Sequence, residues 1–143
     1  MSLAATHDLD TDVLNQEQVG TVMIDSQVAI HTTLLLVDDD ICQLELRSLV
    51  MKMSGFTVLT AASPIEALSL LAEPSGRKVN VVILDYEMPM MNGCILAGYL
   101  KARRPDLKII LHSGFHGIPA SEMSSVDSFV PKGDGMARLL REV

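Results

Sequence analysis

Short apolar runs recur along the chain from residue 33 onward, and a turn signal rich in Gly, Pro, Ser or Asp follows each run closely. Runs of this length, bounded in this way, are typical of strands that are buried on both faces of a sheet. The pattern predicts five strands, over residues 33–37, 56–60, 79–84, 107–111 and 128–130.

Between these runs, apolar residues recur at the spacing of an amphipathic helix. Helices are predicted over residues 41–53, 64–71, 93–104, 120–124 and 136–143. Ser63 is a natural N-cap, because a proline follows it and Glu66 supplies the acid of a capping box. The apolar residues at helical spacing in the first helix, expected to form its buried face, are Ile41, Leu44, Leu46, Leu49, Val50 and Met53.

The alternation of strands and helices indicates the fold class. Strands separated by single helices are the mark of a parallel sheet with helices on both faces, an α/β fold. Residues 114–119 contain two glycines and a proline and therefore look like a loop. We expect any fourth helix, before the fifth strand, to be short or irregular.

Residues 1–32 differ from the rest of the chain because they are polar and their apolar residues follow no regular helix or strand periodicity. A weak hairpin signal is present, with short apolar runs at 21–24 and 28–30. Two interpretations stay open for this segment: a mobile leader, or an arm that packs on this domain or on a partner copy. Residues 33–143 are predicted to form one domain, as the total length of 143 residues also suggests.

Charge and composition exclude several functions. The net charge is −7, and nine of the eighteen acids precede Arg47, which is the first basic residue. No basic stripe with interleaved aromatic residues exists, so nucleic-acid binding by this segment is not expected. No apolar run approaches the length of a bilayer span and no signal peptide precedes the domain, which favours a cytoplasmic protein without a membrane partner. Cys42 and Cys94 lack metal-ligand or redox spacing and are expected to be reduced thiols.

Residues whose side chains could bind a ligand or take part in a reaction follow four of the five predicted strands. These residues are Asp38, Asp39 and Asp40 after the first strand, Asp85 after the third, Ser113 after the fourth and Lys132 after the fifth. Because parallel strands end at the same edge of a sheet, these side chains are expected to converge there. Each also has an ordinary interpretation: Asp40 as a helix N-cap, Asp38 or Asp39 as loop acids, Ser113 as a turn residue, and Lys132 as a solvated charge.

Taken together, the converging side chains point to phosphoryl chemistry. Carboxylates held a few ångström apart repel each other, and a divalent cation relieves that repulsion. Oxygen ligands with room for water suit Mg²⁺ better than Zn²⁺. A lysine and a hydroxyl facing the same point would bind an anionic group, and a carboxylate can act as the nucleophile that forms an acyl phosphate.

Four segments resemble the receiver domain of two-component response regulators. They are LLVDDD at 35–40, LDYEMPMMNG at 84–93, Ser113, and FVPK at 129–132. The resemblance covers residues 33–143, and the acidic pair together with the D-x-x-M-P-x-x-x-G run is its most specific part. It implies a flavodoxin-like, doubly wound five-stranded parallel sheet with strand order 2-1-3-4-5, an order that the chemotaxis receiver illustrates.

The resemblance also implies a role for individual acids. Asp85 resembles the phosphoacceptor. Asp39 resembles the direct Mg²⁺ ligand, whereas Asp38 would act largely through water. The backbone carbonyl of Glu87 would complete the ligands that the protein supplies, so that Asp38, Asp39, Asp85 and Glu87 form the implied metal site.

The remaining positions concern the phosphoryl group and the response to it. Ser113 resembles the hydroxyl that binds a phosphoryl oxygen and shifts on activation, and Lys132 the lysine that pairs with the group. Phe129 resembles the aromatic switch residue. Glu87 and Phe115 occupy positions that flank the water path and would set the rate of dephosphorylation.

The function implied is that of a bacterial phosphorelay receiver. It would accept a phosphoryl group from a histidine kinase or histidine phosphotransfer protein and would then change conformation, with self-association as a further possibility. The domain departs from the family in two places: the family usually has Lys-Pro where Lys132-Gly133 stands here, and the interval from Ser113 to Phe129 is short. These departures leave a second hypothesis, a receiver-like interaction module that signals without phosphorylation. A third, a Mg²⁺-dependent phosphatase with Asp85 as nucleophile, is disfavoured because no substrate-capping domain fits in this length.

Overall fold

The computed structural model describes residues 32–143. Residues 1–31 lie outside the described residues, so both interpretations of the N-terminal segment stay predictions. The strands are β1 (Thr33–Val37), β2 (Thr57–Ala61), β3 (Val81–Leu84), β4 (Lys108–Ser113) and β5 (Ser128–Pro131). The helices are α1 (Ile41–Met53), α2 (Pro64–Ala72), α3 (Gly93–Arg103) and α4 (Gly135–Glu142). Each of these elements lies within about two residues of its predicted position.

The five strands form one parallel sheet with the order β2-β1-β3-β4-β5. This order confirms the predicted flavodoxin-like α/β fold. One apolar cluster joins α2 and α3 to one face of the sheet, with Leu35 and Ile109 fully buried. A second joins α1 and α4 to the other face, with Leu34 and Ile110 fully buried. Both faces of the central strands are therefore covered, as their continuous apolar sequences require.

Side-chain caps fix the starts of α1 and α2. Asp40 Oδ1 accepts a hydrogen bond from the backbone N–H of Gln43 at 3.2 Å, so the interpretation of Asp40 as an N-cap is confirmed. The Ser63 hydroxyl accepts from the N–H of Glu66 at 3.1 Å. The Glu66 carboxylate returns to the N–H of Ala62, one residue before the N-cap. The bonds to Asp40 and Ser63 each satisfy an N–H group that the first turn of a helix leaves without a partner.

Of the apolar residues predicted to form the buried face of α1, Leu44 is buried, but most of the others are not. The helix buries Leu44, Arg47, Ser48 and Met51, whereas Leu46, Leu49 and Met53 are 57%, 55% and 79% exposed. The stripe that packs on the sheet is therefore offset from the most apolar one. An arginine thus occupies the middle of the face that packs on the sheet.

The segment between β4 and β5 contains no α-helix, only a single 3₁₀ turn at Ala120–Glu122. This confirms the expectation that any helix between β4 and β5 is short or irregular. Asp127 fastens the end of the segment: its carboxylate accepts from the Ile109 N–H at 2.7 Å and pairs with Lys101 at 2.9 Å. None of the helices within residues 32–143 is long and apolar enough to cross a membrane, and within the same range Cys42 and Cys94 are both free thiols, as expected.

His112 is a polar residue inside the sheet, on the face that α1 and α4 cover. It is 4% exposed, and neither ring nitrogen has a hydrogen-bond partner among the described residues. Burial, together with the nearby charges of Arg47 and Lys132, lowers the pKa of His112 from 6.5 to about 4. The imidazole is therefore neutral at physiological pH.

Gly93, the first residue of α3, lies against the loop that follows β3. Its N–H donates to the Tyr86 carbonyl at 2.8 Å. A Cβ atom at this position would lie 2.2 Å from the Asp85 carbonyl oxygen and 2.9 Å from Leu111 Cδ1. Glycine is thus required here by the close approach of two backbone segments rather than by a positive φ.

We predict that Gly93→Ala destabilises the domain by roughly 1–3 kcal/mol, because the added methyl group overlaps backbone that cannot move freely. Gly98→Ala is the matched control within the same helix, since its Cβ would meet no atom closer than 3.8 Å. That change should be neutral or stabilise by about 0.5–1 kcal/mol through helix propensity. Urea unfolding of both variants measures the difference, and equal stabilities would contradict the packing described.

A second prediction concerns the dependence of stability on pH. In the unfolded chain His112 takes up a proton near pH 6.5, whereas the folded chain does so only near pH 4. Stability is therefore complete above about pH 6.5 and is lost as the pH falls toward 4, by roughly 3 kcal/mol in total. His112→Leu should remove this part of the loss, and the same change at the exposed His116 should not. Unfolding free energies measured across this range, with the same slope in wild type and His112→Leu, would refute the prediction.

Candidate functional site

The carboxyl ends of β1 and β3 bring two acids side by side. Val37 and Leu84 are partners in the parallel register, and Asp38 and Asp85 are the next residues of the two strands. Backbone hydrogen bonds continue the sheet through this point, since the Asp85 N–H donates to the Val37 carbonyl at 3.1 Å. The predicted convergence of these side chains is what the parallel topology produces.

Asp38, Asp39 and Asp85 together form a cluster of carboxylates, called the acidic cluster below. One oxygen of each lies within 4.8 Å of the others. Asp38 is buried, Asp85 half-buried and Asp39 exposed, so the cluster opens to solvent on the side of Asp39. An all-oxygen donor set with an open side suits Mg²⁺, which retains water in its coordination sphere.

Lys132 links the two buried members of the cluster. Its Nζ lies 3.3 Å from Asp38 Oδ2 and 3.5 Å from Asp85 Oδ2. The residue follows β5 directly, because Pro131 pairs with Ser113 as the last residue of that strand. Gly133 therefore does not prevent the lysine from reaching the site, although the family usually has proline there.

The environments of Asp38 and Asp85 shift their pKa values in opposite directions. Burial acts to raise the pKa of Asp38, but hydrogen bonds from Arg47 and from the Asp40 N–H, with the charge of Lys132, hold it below its ordinary value. Burial raises the pKa of Asp85, and the neighbouring Asp38 charge adds to this, while Lys132 opposes it. Asp38 is thus firmly anionic, whereas Asp85 is the less stabilised carboxylate.

Ser113 is the last residue of β4 and is completely buried. Its hydroxyl oxygen accepts a hydrogen bond from the backbone N–H of Phe115 at 3.1 Å. That bond fixes the start of the segment that connects β4 to β5. Ser113 therefore lies at the edge where the acids converge, although it makes no hydrogen bond to them among the described residues.

The loop after Asp85 is joined to the segment after Ser113 by two contacts of Tyr86. The ring of Tyr86 stacks on Phe115, with centroids 5.5 Å apart and planes within 9°. The Tyr86 hydroxyl donates to the Glu122 carboxylate at 2.9 Å. Glu87, the next residue, is exposed.

Phe129 is half-buried on β5 and packs against the cluster that covers the α2 and α3 face. A cavity of about 120 Å³ separates it from the segment after Ser113, lined by Phe115, His116, Ile118, Met123 and Phe129. The aromatic ring thus has open space beside it on the side of that segment. This is where a predicted switch residue would need room to move.

Two features of the site escape sequence reasoning. Arg47 Nη1 lies 2.8 Å from Asp38 Oδ2, and the arginine is 8% exposed. The only signal for it is that residue 47 shares the helical spacing of Leu44 and Met51, which marks a charged residue on an inward face. The Tyr86–Glu122 bond spans 36 residues, and no local pattern announces such a contact.

Comparison with known proteins gives relatives of one kind. The model of the response regulator receiver domain matches residues 34–141. The transcriptional regulatory protein GlrR of Escherichia coli (strain K12) is 35% identical over 102 residues, which are 69% of this chain and 22% of GlrR. Sensor kinase CckA of Brucella abortus (strain 2308) is 39% identical over 85 residues, or 59% of this chain and 9% of CckA. The chain spans less than a quarter of the length of either relative.

Solved structures agree with this match. The response regulator TrrA from Thermotoga maritima, in complex with Mg²⁺-BeF, is 27% identical with a TM-score of 0.70, covering 78% of this chain and 95% of that one. A structure of the histidine kinase ThkA in complex with TrrA gives a TM-score of 0.69 at 28% identity, covering 78% and 94%. The sheet also has the strand order 2-1-3-4-5 expected for a receiver domain. Since the family model spans most of the chain, this chain belongs to the response regulator receiver domain family.

Proposed function

We propose that the domain is the phosphoacceptor of a two-component phosphorelay and that Asp85 carries the phosphoryl group. The observation that supports this most is the acidic cluster itself, with three carboxylates within 4.8 Å and Lys132 within 3.5 Å of Asp85. Family membership adds to it, as does the crystallisation of the related TrrA with Mg²⁺-BeF. Asp85 is the only half-buried acid of the three, and it is accessible to a donor in a way that Asp38 is not.

Mg²⁺ is the metal that we assign to the acidic cluster. Asp39 and Asp85 would hold it directly, the backbone carbonyl of Glu87 would complete the protein ligands, and Asp38 would act largely through water. When bound, the ion offsets the negative charge of the phosphoryl oxygens. The donor set contains only oxygen atoms, which is the preference of this ion.

The transfer step uses the Asp85 carboxylate as the nucleophile. One of its oxygens attacks the phosphorus of a phosphohistidine on the donor protein, the P–N bond breaks, and the imidazole leaves with the electron pair of that bond. The product is an acyl phosphate on Asp85. Lys132 pairs with a phosphoryl oxygen, and the Ser113 hydroxyl donates a hydrogen bond to another.

Dephosphorylation is attack by water on the same phosphorus, which breaks the P–O bond, releases inorganic phosphate and restores the carboxylate. Glu87 and Phe115 flank the approach of that water. The stack of Phe115 on Tyr86, tied to Glu122, would hold one wall of the approach in place. The domain thus catalyses only its own phosphorylation and dephosphorylation and serves as a signalling receiver.

The conformational response begins at Ser113. A phosphoryl group that accepts from the Ser113 hydroxyl would draw this residue and the segment after it toward Asp85, because Phe115 is bonded to Ser113 Oγ. Phe129 would then enter or leave the cavity beside that segment. Such coupling of a new charge to a packed element is a common form of switch.

A histidine kinase or histidine phosphotransfer protein is the partner that we propose. The related TrrA has been crystallised with the histidine kinase ThkA, which supports a kinase as the donor. We further propose that the domain works in the cytoplasm, without nucleic-acid or membrane contacts of its own, and that it can associate with a second copy of itself.

The proposed function predicts that a small phosphodonor labels the chain. With Mg²⁺ and acetyl phosphate, the intact mass of the wild type should increase by a single phosphoryl group, and Asp85→Asn should show no increase. Asp106→Asn, at an exposed acid away from the cluster, is the control and should be labelled like the wild type. Absence of an adduct on the wild type, under conditions that label a control receiver, would favour the interaction module that signals without phosphorylation.

A second prediction concerns the metal. Mg²⁺ should stabilise the domain, by about 2.7 kcal/mol at a hundredfold excess over its dissociation constant, because it binds only the folded cluster. Asp39→Ala should abolish this effect and leave the metal-free domain at least as stable, since it removes one of three repelling charges. Thermal unfolding with and without Mg²⁺ measures both. Equal stabilisation of Asp39→Ala and the wild type would contradict the ligand assignment.

A further inference from the structure

Arg47 occupies an unusual place for a charged residue. It lies between Leu44 and Met51 on the stripe of α1 that packs on the sheet, and it is 8% exposed. Long charged side chains are seldom buried unless they are paired, because desolvation of the charge is costly. Its partner is Asp38, which is 1% exposed and whose Oδ2 lies 2.8 Å from Arg47 Nη1.

Asp38 accepts hydrogen bonds from three donors, which occupy most of the acceptor sites of its carboxylate. Oδ2 receives Arg47 at 2.8 Å and Lys132 at 3.3 Å, and Oδ1 receives the backbone N–H of Asp40 at 2.9 Å. Three carboxylates and two cations therefore meet at the site, which leaves one net negative charge. Without the arginine the same site would hold two.

The guanidinium occupies the Asp38 carboxylate, to which a water bound to the metal would donate. A dication entering the acidic cluster would meet a charge of like sign already bound to Asp38, in a setting where burial weakens screening. We propose that Arg47 is a built-in counter-ion of the acidic cluster, which lowers its affinity for Mg²⁺ by pairing with Asp38. This inference rests on the proposed function of the site, and it assigns to Arg47 a positioning role that acts through Asp38.

The surroundings of Arg47 give the guanidinium an alternative position. Its Nη2, the nitrogen that is not paired with Asp38, donates to Gln43 Oε1 at 3.3 Å. A cavity of about 240 Å³ adjoins the arginine between α1 and the start of α4, with Gln43, His112 and Met136 among its lining residues. The side chain can therefore retreat from Asp38 without overlap with packed atoms, so a metal faces a competitor that is displaceable rather than a fixed barrier.

The test is a Mg²⁺ titration of the 143-residue chain, followed by isothermal calorimetry, for the wild type and variants of Arg47. Arg47→Met keeps the length of the side chain among its apolar neighbours and removes the charge. Its affinity for Mg²⁺ should rise roughly tenfold or more, because a like charge next to the dication is lost. Arg47→Lys keeps the charge and should stay within about threefold of the wild type.

Arg103→Met is the matched control, since it removes an exposed charge near the far end of α3 and should leave Mg²⁺ affinity unchanged. Equal Mg²⁺ affinities of Arg47→Met and the wild type would overturn the inference, as would an absence of Mg²⁺ binding by both. Should Arg47→Met fail to fold, the wild type supplies a second measurement. Saturating Mg²⁺ should shift the side-chain nitrogen resonances of Arg47 but not those of Arg103, and unchanged Arg47 resonances would also overturn it.

The titration is independent of phosphorylation, so the two proposals fail separately. If Arg47→Met gains Mg²⁺ affinity while Asp85 is never labelled, the counter-ion role stands and the phosphoacceptor function falls. If Asp85 is labelled while the affinity is unchanged, the function stands and the role of Arg47 falls.

Discussion

Repulsion among three carboxylates at one edge of the sheet is the constraint on which the rest of this structure depends. The parallel register places Asp38 and Asp85 next to each other, and Asp39 joins them within 4.8 Å. Such a cluster persists only with positive charge beside it. Lys132 supplies part of that charge from the end of β5, and Arg47 supplies the rest from the buried face of α1. The end of β5, distant in sequence, and α1, which follows β1, are thus both tied to β1 by charge as well as by apolar packing.

The same constraint explains how chemistry at Asp85 can affect the other side of the site. A phosphoryl group on Asp85 would change the charge near Ser113, which ends β4, and near Lys132, which follows β5 directly. Ser113 is bonded to Phe115, Phe115 stacks on Tyr86, and Tyr86 is bonded to Glu122. The segment that stands in place of a fourth helix is therefore connected to the site by named contacts, although it holds only one 3₁₀ turn.

Much of this arrangement could be predicted from the sequence, because it depends only on the periodicity of apolar residues and on the topology of the sheet. Apolar runs fix the strands, alternation with helices fixes a parallel sheet, and a parallel sheet brings Asp38, Asp85 and Ser113 to one edge. The buried face of α1 could not be predicted, since Leu46, Leu49 and Met53 are more apolar than the stripe that packs, which contains Arg47 and Ser48. Arg47 was missed for the same reason, because its burial makes sense only once Asp38 is known to lie beside it. The buried His112 and the Tyr86–Glu122 bond also depend on tertiary placement rather than on local sequence.

The measurement that tests the central claim most directly is localisation of the phosphoryl group within the chain. After reaction with acetyl phosphate and Mg²⁺, borohydride reduces an acyl phosphate to an alcohol, and peptide mass spectrometry then locates the altered residue. The account predicts that the altered mass is confined to Asp85. Reduction at Asp38 or Asp39, or an altered mass in a peptide that lacks all three acids of the cluster, would contradict it.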